Sequence, residues 1–133
     1  MIAIDTNVLL RYLLRDDEAQ AERARRIFER AERILITDVV LVEALWTLMG
    51  SRHDAAKSDL IAVVDKLLQE PKVRFEDDEV VWSALQAYRE TGADFADALI
   101  VHKALKTATL GHEVDTVYTF DAAALQLPHT TEP

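Results

Sequence analysis

Four acidic residues stand where the sequence is otherwise apolar: Asp5 in MIAIDTN, Glu43 in VVLVEALWTLM, Asp97 in DFADALIVHKAL and Asp121 in VYTFD. Placing one ionised carboxylate in apolar surroundings costs several kcal/mol or drives its pKa upward, and gathering several multiplies the problem. A cation is the ordinary remedy. The chain has no cysteine, and its histidines, His53, His102, His112 and His129, show no ligand spacing, so a soft or zinc-type donor set is absent. Carboxylates alone favour a hard ion, Mg²⁺ with Mn²⁺ as a substitute, which keeps waters and is shared with substrate phosphate. Such an ion activates water and clamps the oxygens of a phosphodiester.

Each acid also has a structural reading. Asp5 could cap the helix that follows it, and Asp121 could cap DAAALQL, because Asp is a preferred N-cap. Glu43 could form an ion pair with Arg11, although buried pairs are weak stabilisers. Asp94, three residues before Asp97, either shares its face or caps its helix. Arg11 and Arg15 lie four apart on the first helix and read either as contacts to a substrate's phosphates or as solvated surface. His102 reads as a general base or as a structural residue.

The elements that would position these residues alternate. MIAI, ERILIT, KVRF and DTVYTF are strand-length runs, separated by helical patterns over Asn7–Leu14, Asp17–Glu32, Asp38–Met49, Ala55–Leu68, Asp77–Glu90 and Phe95–Lys106. Gly50 and Gly92 are expected as left-handed residues just past two helices, and Pro71 as the stop of a third. Strands joined by helices predict a parallel sheet with helices on both faces, an α/β fold with sites beyond the carboxyl ends of the strands. Asp5 and Asp121 would both end such strands. Helix 38–49, apolar on every side but for Glu43, is expected to be largely buried. Trp46 and Trp82 fall in apolar helical stretches and read as core or dimer interface. LPHTTEP is expected to fray.

In this order and spacing, IDTNVLLRYL, VVLVEALWTL, DFADALIVHKA and VYTFD resemble the PIN-domain proteins, and among them the VapC ribonuclease toxins of prokaryotic toxin–antitoxin pairs. The resemblance spans nearly the whole chain. It implies a three-layer α/β/α sandwich around a mainly parallel sheet, and a single PIN-like domain over residues 1–133. It further implies a Mg²⁺-dependent endoribonuclease, a homodimer, and a small antitoxin that occupies the active-site groove. Carried over residue by residue, the family's acidic quartet matches Asp5, Glu43, Asp97 and Asp121. Its small polar residue after the first acid matches Asn7, and Thr119 matches a supporting position.

Composition sets the remaining bounds. With 133 residues, half of them apolar and 29% charged, the chain can bury a conventional core. No basic leader and no apolar run long enough for a bilayer is visible, and with no cysteine the chain reads as a soluble cytoplasmic protein. The net charge of −9 argues against loose electrostatic binding of nucleic acid. Its distribution is uneven, because residues 1–33 hold seven arginines against seven acids, and all of the −9 lies beyond them. Three glycines, at 50, 92 and 111, allow neither a P-loop nor a dinucleotide fingerprint, and no G-x-S-x-G turn is present. Two rival readings remain: a phosphoacceptor receiver domain, which wants an acidic pair after its first strand where this chain has DTN, and a non-catalytic PIN-like scaffold.

Overall fold

The computed structural model describes residues 1–109 and 111–133. Its contacts group into two compact units, Met1–Glu76 and Asp77–Pro133.

The first unit alternates as expected: β1 (Ile2–Ala3), α1 (Thr6–Leu14), α2 (Glu18–Arg30), β2 (Ile34–Ile36), α3 (Asp38–Met49), α4 (Lys57–Gln69) and β3 (Val73–Phe75). The strands form one parallel sheet in the order β1-β2-β3, in register Ile2↔Ile34 and Ile34↔Val73. Ile34, Ile36, Val73 and Phe75 are buried, so both ends of β2 and β3 point into the core while Leu35 and Arg74 are half-buried. Leu9 of α1, Leu41 of α3 and Leu60, Val64 and Leu67 of α4 complete this core. Each such side chain contributes about 1.5–3 kcal/mol by leaving water. Tyr12 of α1 stacks on Phe28 of α2 with ring centroids 3.7 Å apart and planes 4° from parallel. Lys72 ties the end of α2 to β3, its Nζ donating to the carbonyls of Phe28 at 2.9 Å and Glu29 at 2.8 Å. A cation at the C-terminal end of a helix is favoured by the dipole as well as by those bonds.

The second unit holds α5 (Asp78–Glu90), α6 (Phe95–Lys106), a hairpin of β4 (Ala108–Thr109) and β5 (His112–Glu113), β6 (Val117–Tyr118), a short 3-10 helix (Ala124–Gln126) and β7 (Thr130–Thr131). α5 and α6 pack on each other, and Val81, Ala84, Leu85 and Tyr88 of α5 and Ala98, Leu99 and Val101 of α6 are buried. Tyr88 meets Phe95 edge to face at 5.9 Å and 81°. Gly111, at φ +79°, takes a left-handed conformation in the β4–β5 turn that a side chain would resist.

Helix edges match the sequence periodicity to within two residues, and 38–49 and 95–106 match at both ends. Five expectations are corrected. The strand expected over DTVYTF is Val117–Tyr118 and pairs in parallel with Thr130–Thr131, not with the three-stranded sheet. The tail expected to fray therefore holds a strand, anchored by buried Leu127 and by Thr130, whose hydroxyl donates to the Leu127 carbonyl at 2.8 Å. Gly50 caps α3 at φ −61°, and Gly111 is the glycine with positive φ among the described residues. The left-handed cap belongs to Arg15 after α1, at φ 55°. α3 buries one stripe, Leu41, Ala44, Leu45 and Leu48, and leaves Val39 and Trp46 exposed. Trp82 is exposed too, so neither tryptophan is core.

Candidate functional site

Asp5 follows β1 and caps α1, its Oδ1 accepting the Val8 amide at 2.9 Å. The capping role is real, yet it uses one oxygen, and the residue is exposed. Two residues on, Asn7 is exposed as well. Between them Thr6 donates through Oγ1 to Glu43 Oε1 at 3.0 Å. That bond joins the start of α1 to the middle of α3 across 37 residues of chain, and so places Glu43 beside the turn that carries Asp5. Glu43 is exposed rather than buried, because it lies outside the stripe that α3 turns to the core. Sequence reasoning picked Asn7 and missed Thr6; the signal was the hydroxyl adjacent to the first acid.

Arg11 does not pair with Glu43. Its Nη1 donates to Asp16 at 2.8 Å and its Nε to Gln20 at 2.6 Å, and the guanidinium holds the Asp16 carboxyl below its usual range. These bonds occupy the head group that was expected to meet RNA phosphate. Arg15 is exposed beyond the end of α1.

In the second unit the charges of Asp94 and Asp121 act on Asp97. Burial raises the Asp97 pKa above its ordinary 3.8, and the negative charges of Asp94 and then Asp121 raise it further. No cation offsets them: the Asp97 carboxylate has no hydrogen bond or ion pair among the described residues. Asp94 is unusual in its own way. Asp5, Asp17, Thr37 and Asp77 cap α1, α2, α3 and α5 through side-chain oxygens, and Asp59 reaches back to the Ala56 amide at the start of α4. Asp94 occupies the same position on α6 with a preferred capping side chain and makes no capping bond. A locally favourable bond left unmade, beside a carboxylate with a raised pKa, is what a site looks like when function competes with folding.

Asp121 is held firmly. Its amide donates to Thr119 Oγ1 at 3.0 Å, and its Oδ2 accepts the Ala124 amide at 2.8 Å. Ala124 opens the 3-10 turn Ala124–Gln126, whose N-cap is Ala123, and Asp121 itself is exposed. Behind it Gln126 Oε1 accepts the Gly92 amide at 2.9 Å, which ties this turn to the loop carrying Asp94. A Cβ at Gly92 would stand 3.2 Å from the Gln126 amide nitrogen, so glycine lets the two meet. Gln126 was not singled out from sequence, where it carries no signal. His102 lies on α6 with Nε2 buried and without a partner among the described residues, and burial lowers its pKa.

Chemically, the second unit gathers negative charge that favours a cation, while among the described residues no group of three or more His, Asp or Glu side chains could by itself hold a metal ion. No helix among the described residues is long and apolar enough to cross a membrane. No curated protein is similar enough in sequence to count as a relative. The model of the PIN domain family matches residues 2–128, through all six helices and the parallel sheet. PIN domains are generally metal-dependent nucleases acting on RNA or DNA. The chain belongs to the PIN domain family.

Proposed function

We propose that the protein is a Mg²⁺-dependent endoribonuclease, with Mn²⁺ as a substitute ion, and that Asp5, Glu43, Asp97 and Asp121 are its metal-holding set. The observation that carries this reading is Asp97: a carboxylate with a raised pKa, two acidic neighbours and no cationic partner. The donor chemistry fits a hard ion. Carboxylates without imidazole or thiolate suit Mg²⁺, and an ion that retains several waters does not need three protein ligands in a closed cage.

A divalent cation would supply a Lewis acid that polarises the scissile phosphodiester. The chain's own residues do the rest. Asp97 and Asp5 are proposed as the direct holders, Asp97 with no hydrogen bond to its carboxylate and Asp5 with one oxygen left over from its capping bond. Glu43 and Asp121 orient the attacking water and take up its proton. Thr6 fixes the Glu43 rotamer, and Thr119 with the Ala124 amide fixes that of Asp121. Asn7 and Asp94 support the first and third acids. We read the two compact units as parts of one domain, because the family match runs across their boundary.

The finer roles are proposals in the same sense. The resemblance to VapC toxins favours a toxin–antitoxin function in the cytoplasm, with the antitoxin offering Arg or Lys to the acidic pocket as a surrogate cation. A homodimer is supported by the large apolar side chains left exposed, among them Val39 and Trp46 on α3 and Trp82 and Ile100 on α5 and α6.

The test is cleavage of a mixed RNA pool with Mg²⁺ and with excess EDTA, beside Asp5→Asn and Asp97→Asn. Cleavage that needs the metal and both aspartates supports the proposal. Full activity in either variant refutes the assignment, and no activity together with no Mg²⁺ binding favours a non-catalytic scaffold.

A further inference from the structure

An RNA substrate needs cations, and most of this protein's are already engaged. In residues 77–133 only Arg89, Lys103 and Lys106 are basic, against ten acids. Lys106 bridges Asp77 at 2.8 Å and Glu79 at 2.9 Å, and Arg89 and Lys103 also have partners. In the first unit Arg11 is bound to Asp16 and Gln20, Arg25 to Glu22 and Glu29, and Lys72 and Arg74 to backbone carbonyls.

Arg15 and Arg33 are exposed without a hydrogen bond or ion pair among the described residues, each at a separate place, and one surface gathers several such cations. Arg23, Arg26 and Arg30 fall at i, i+3 and i+7 on the outer face of α2, opposite buried Ala21, Ala24 and Phe28. All three are exposed. Arg23 and Arg30 carry no hydrogen bond or ion pair among the described residues, and Arg26 is held only through Nε, 3.4 Å from Glu22. The three line a groove of about 540 Å³ whose apolar wall is Ile2, Ile27 and Ala31. A second groove, of about 230 Å³, shares Arg23 and Ile27 with the first and reaches Asn7 and Val8, at the turn that carries Asp5. Seven residues of helix span about 10 Å, a reach suited to neighbouring phosphates of one extended strand. In a chain of net charge −9, arginines left without acids on one continuous surface are the anomaly.

We propose that this arginine-lined groove on α2 binds the sugar–phosphate backbone of single-stranded RNA, with a base against the Ile2–Ile27 wall, and leads the strand toward the Asp5 turn. The proposal rests on the ribonuclease reading for its substrate class. Arginine favours phosphate through its planar fork of donors. Contacts to phosphate fix register without reading sequence, so affinity through this groove is indifferent to base identity.

The test is fluorescence anisotropy of a labelled oligouridylate in EDTA, where no metal-dependent hydrolysis occurs, across a range of salt. Wild type is compared with Arg23→Gln/Arg30→Gln and with Arg52→Glu, which changes net charge equally at an exposed arginine outside the groove. The double variant is expected to bind about tenfold more weakly and to lower the salt slope by about 1.4, the share of two phosphates on a single strand. Arg52→Glu is expected to stay within about threefold of wild type. Equal weakening by both variants, no change in the double variant, or no RNA binding by wild type at low salt would overturn the proposal. So would displacement of the RNA by polyglutamate as effectively as by unlabelled RNA of equal charge, which would mark a site for an acidic protein. Parallel cleavage assays in Mg²⁺ separate the two readings. A double variant that binds and cleaves like wild type overturns the groove alone, whereas RNA held by these arginines but never cleaved overturns the nuclease alone.

Discussion

Replacing Asp97 by asparagine should make the metal-free protein more stable and the metal-loaded protein less stable than wild type. In the folded state Asp97 binds its proton more tightly than an unfolded aspartate, because burial and the charges of Asp94 and Asp121 oppose ionisation. A carboxylate with a raised folded pKa destabilises the fold above that pKa, and the penalty vanishes below the ordinary value of 3.8, where both states are protonated. At pH 7 the penalty is therefore fully present. Burial contributes first, and the half-buried Asp94 and exposed Asp121 add about 0.2–1 kcal/mol each, so the penalty is on the order of 1 kcal/mol, or about 4 °C in melting temperature for a chain of this size. Asparagine removes it. Mg²⁺ at a hundred times its Kd stabilises wild type by about 2.7 kcal/mol, and the variant loses most of that gain. The order of the two melting temperatures should invert on adding Mg²⁺, as read by calorimetry at pH 7 with EDTA and with Mg²⁺. An apo variant that melts below wild type, or equal Mg²⁺ gains in both proteins, would refute the reasoning about this carboxylate.

Glu43→Gln keeps an acceptor for Thr6 Oγ1 and should fold normally while RNA cleavage falls at least about a hundredfold, measured as initial rates beside melting curves. Lys72→Met strips the Phe28 and Glu29 carbonyls of their cation and should cost about 1–2 kcal/mol of stability by urea titration, with RNA cleavage unchanged under native conditions. Lys106 holds the Asp77 carboxyl below its usual value, so this pair stabilises the fold above the unfolded pKa of Asp77, 3.8, and the gain is lost as pH falls through the depressed folded value. Lys106→Met should accordingly melt slightly lower than wild type at pH 7 and equally at strongly acid pH.

The helices were legible because each records its own boundaries: Asp5, Asp17, Thr37 and Asp77 are capping residues at the start of apolar periodicity. Asp97 stood out as a charge on a helix whose other residues are largely core-like, although the helix dipole also favours an acid in a first turn, and Glu18, Asp38, Asp59, Asp78 and Glu79 hold such positions in other helices. Pairing was not. VYTF has strand composition, but nothing local says that its partner is Thr130–Thr131, since sheet neighbours are chosen by tertiary packing. The exposure of Glu43 and Trp46 was hidden by α3, whose apolar residues run all the way round and carry no period to tell the core face from the other. The seven N-terminal arginines raise a separate difficulty. Composition shows that they balance seven acids, yet only coordinates show that Arg11 and Arg25 are paired while Arg23 and Arg30 are not.

The central claim is that carboxylates and a divalent ion direct water at an RNA phosphodiester. The most direct measurement is end-group analysis of the cleaved RNA by mass spectrometry, with the reaction run in ¹⁸O-labelled water, with Mg²⁺ and with EDTA. The account predicts linear terminal phosphates carrying one labelled oxygen, formed only with Mg²⁺ and absent from the Asp97→Asn variant. Products ending in 2′,3′-cyclic phosphate, or cleavage that persists in EDTA, would contradict it, because the attacking oxygen would then come from the RNA and no metal-holding acids would be needed.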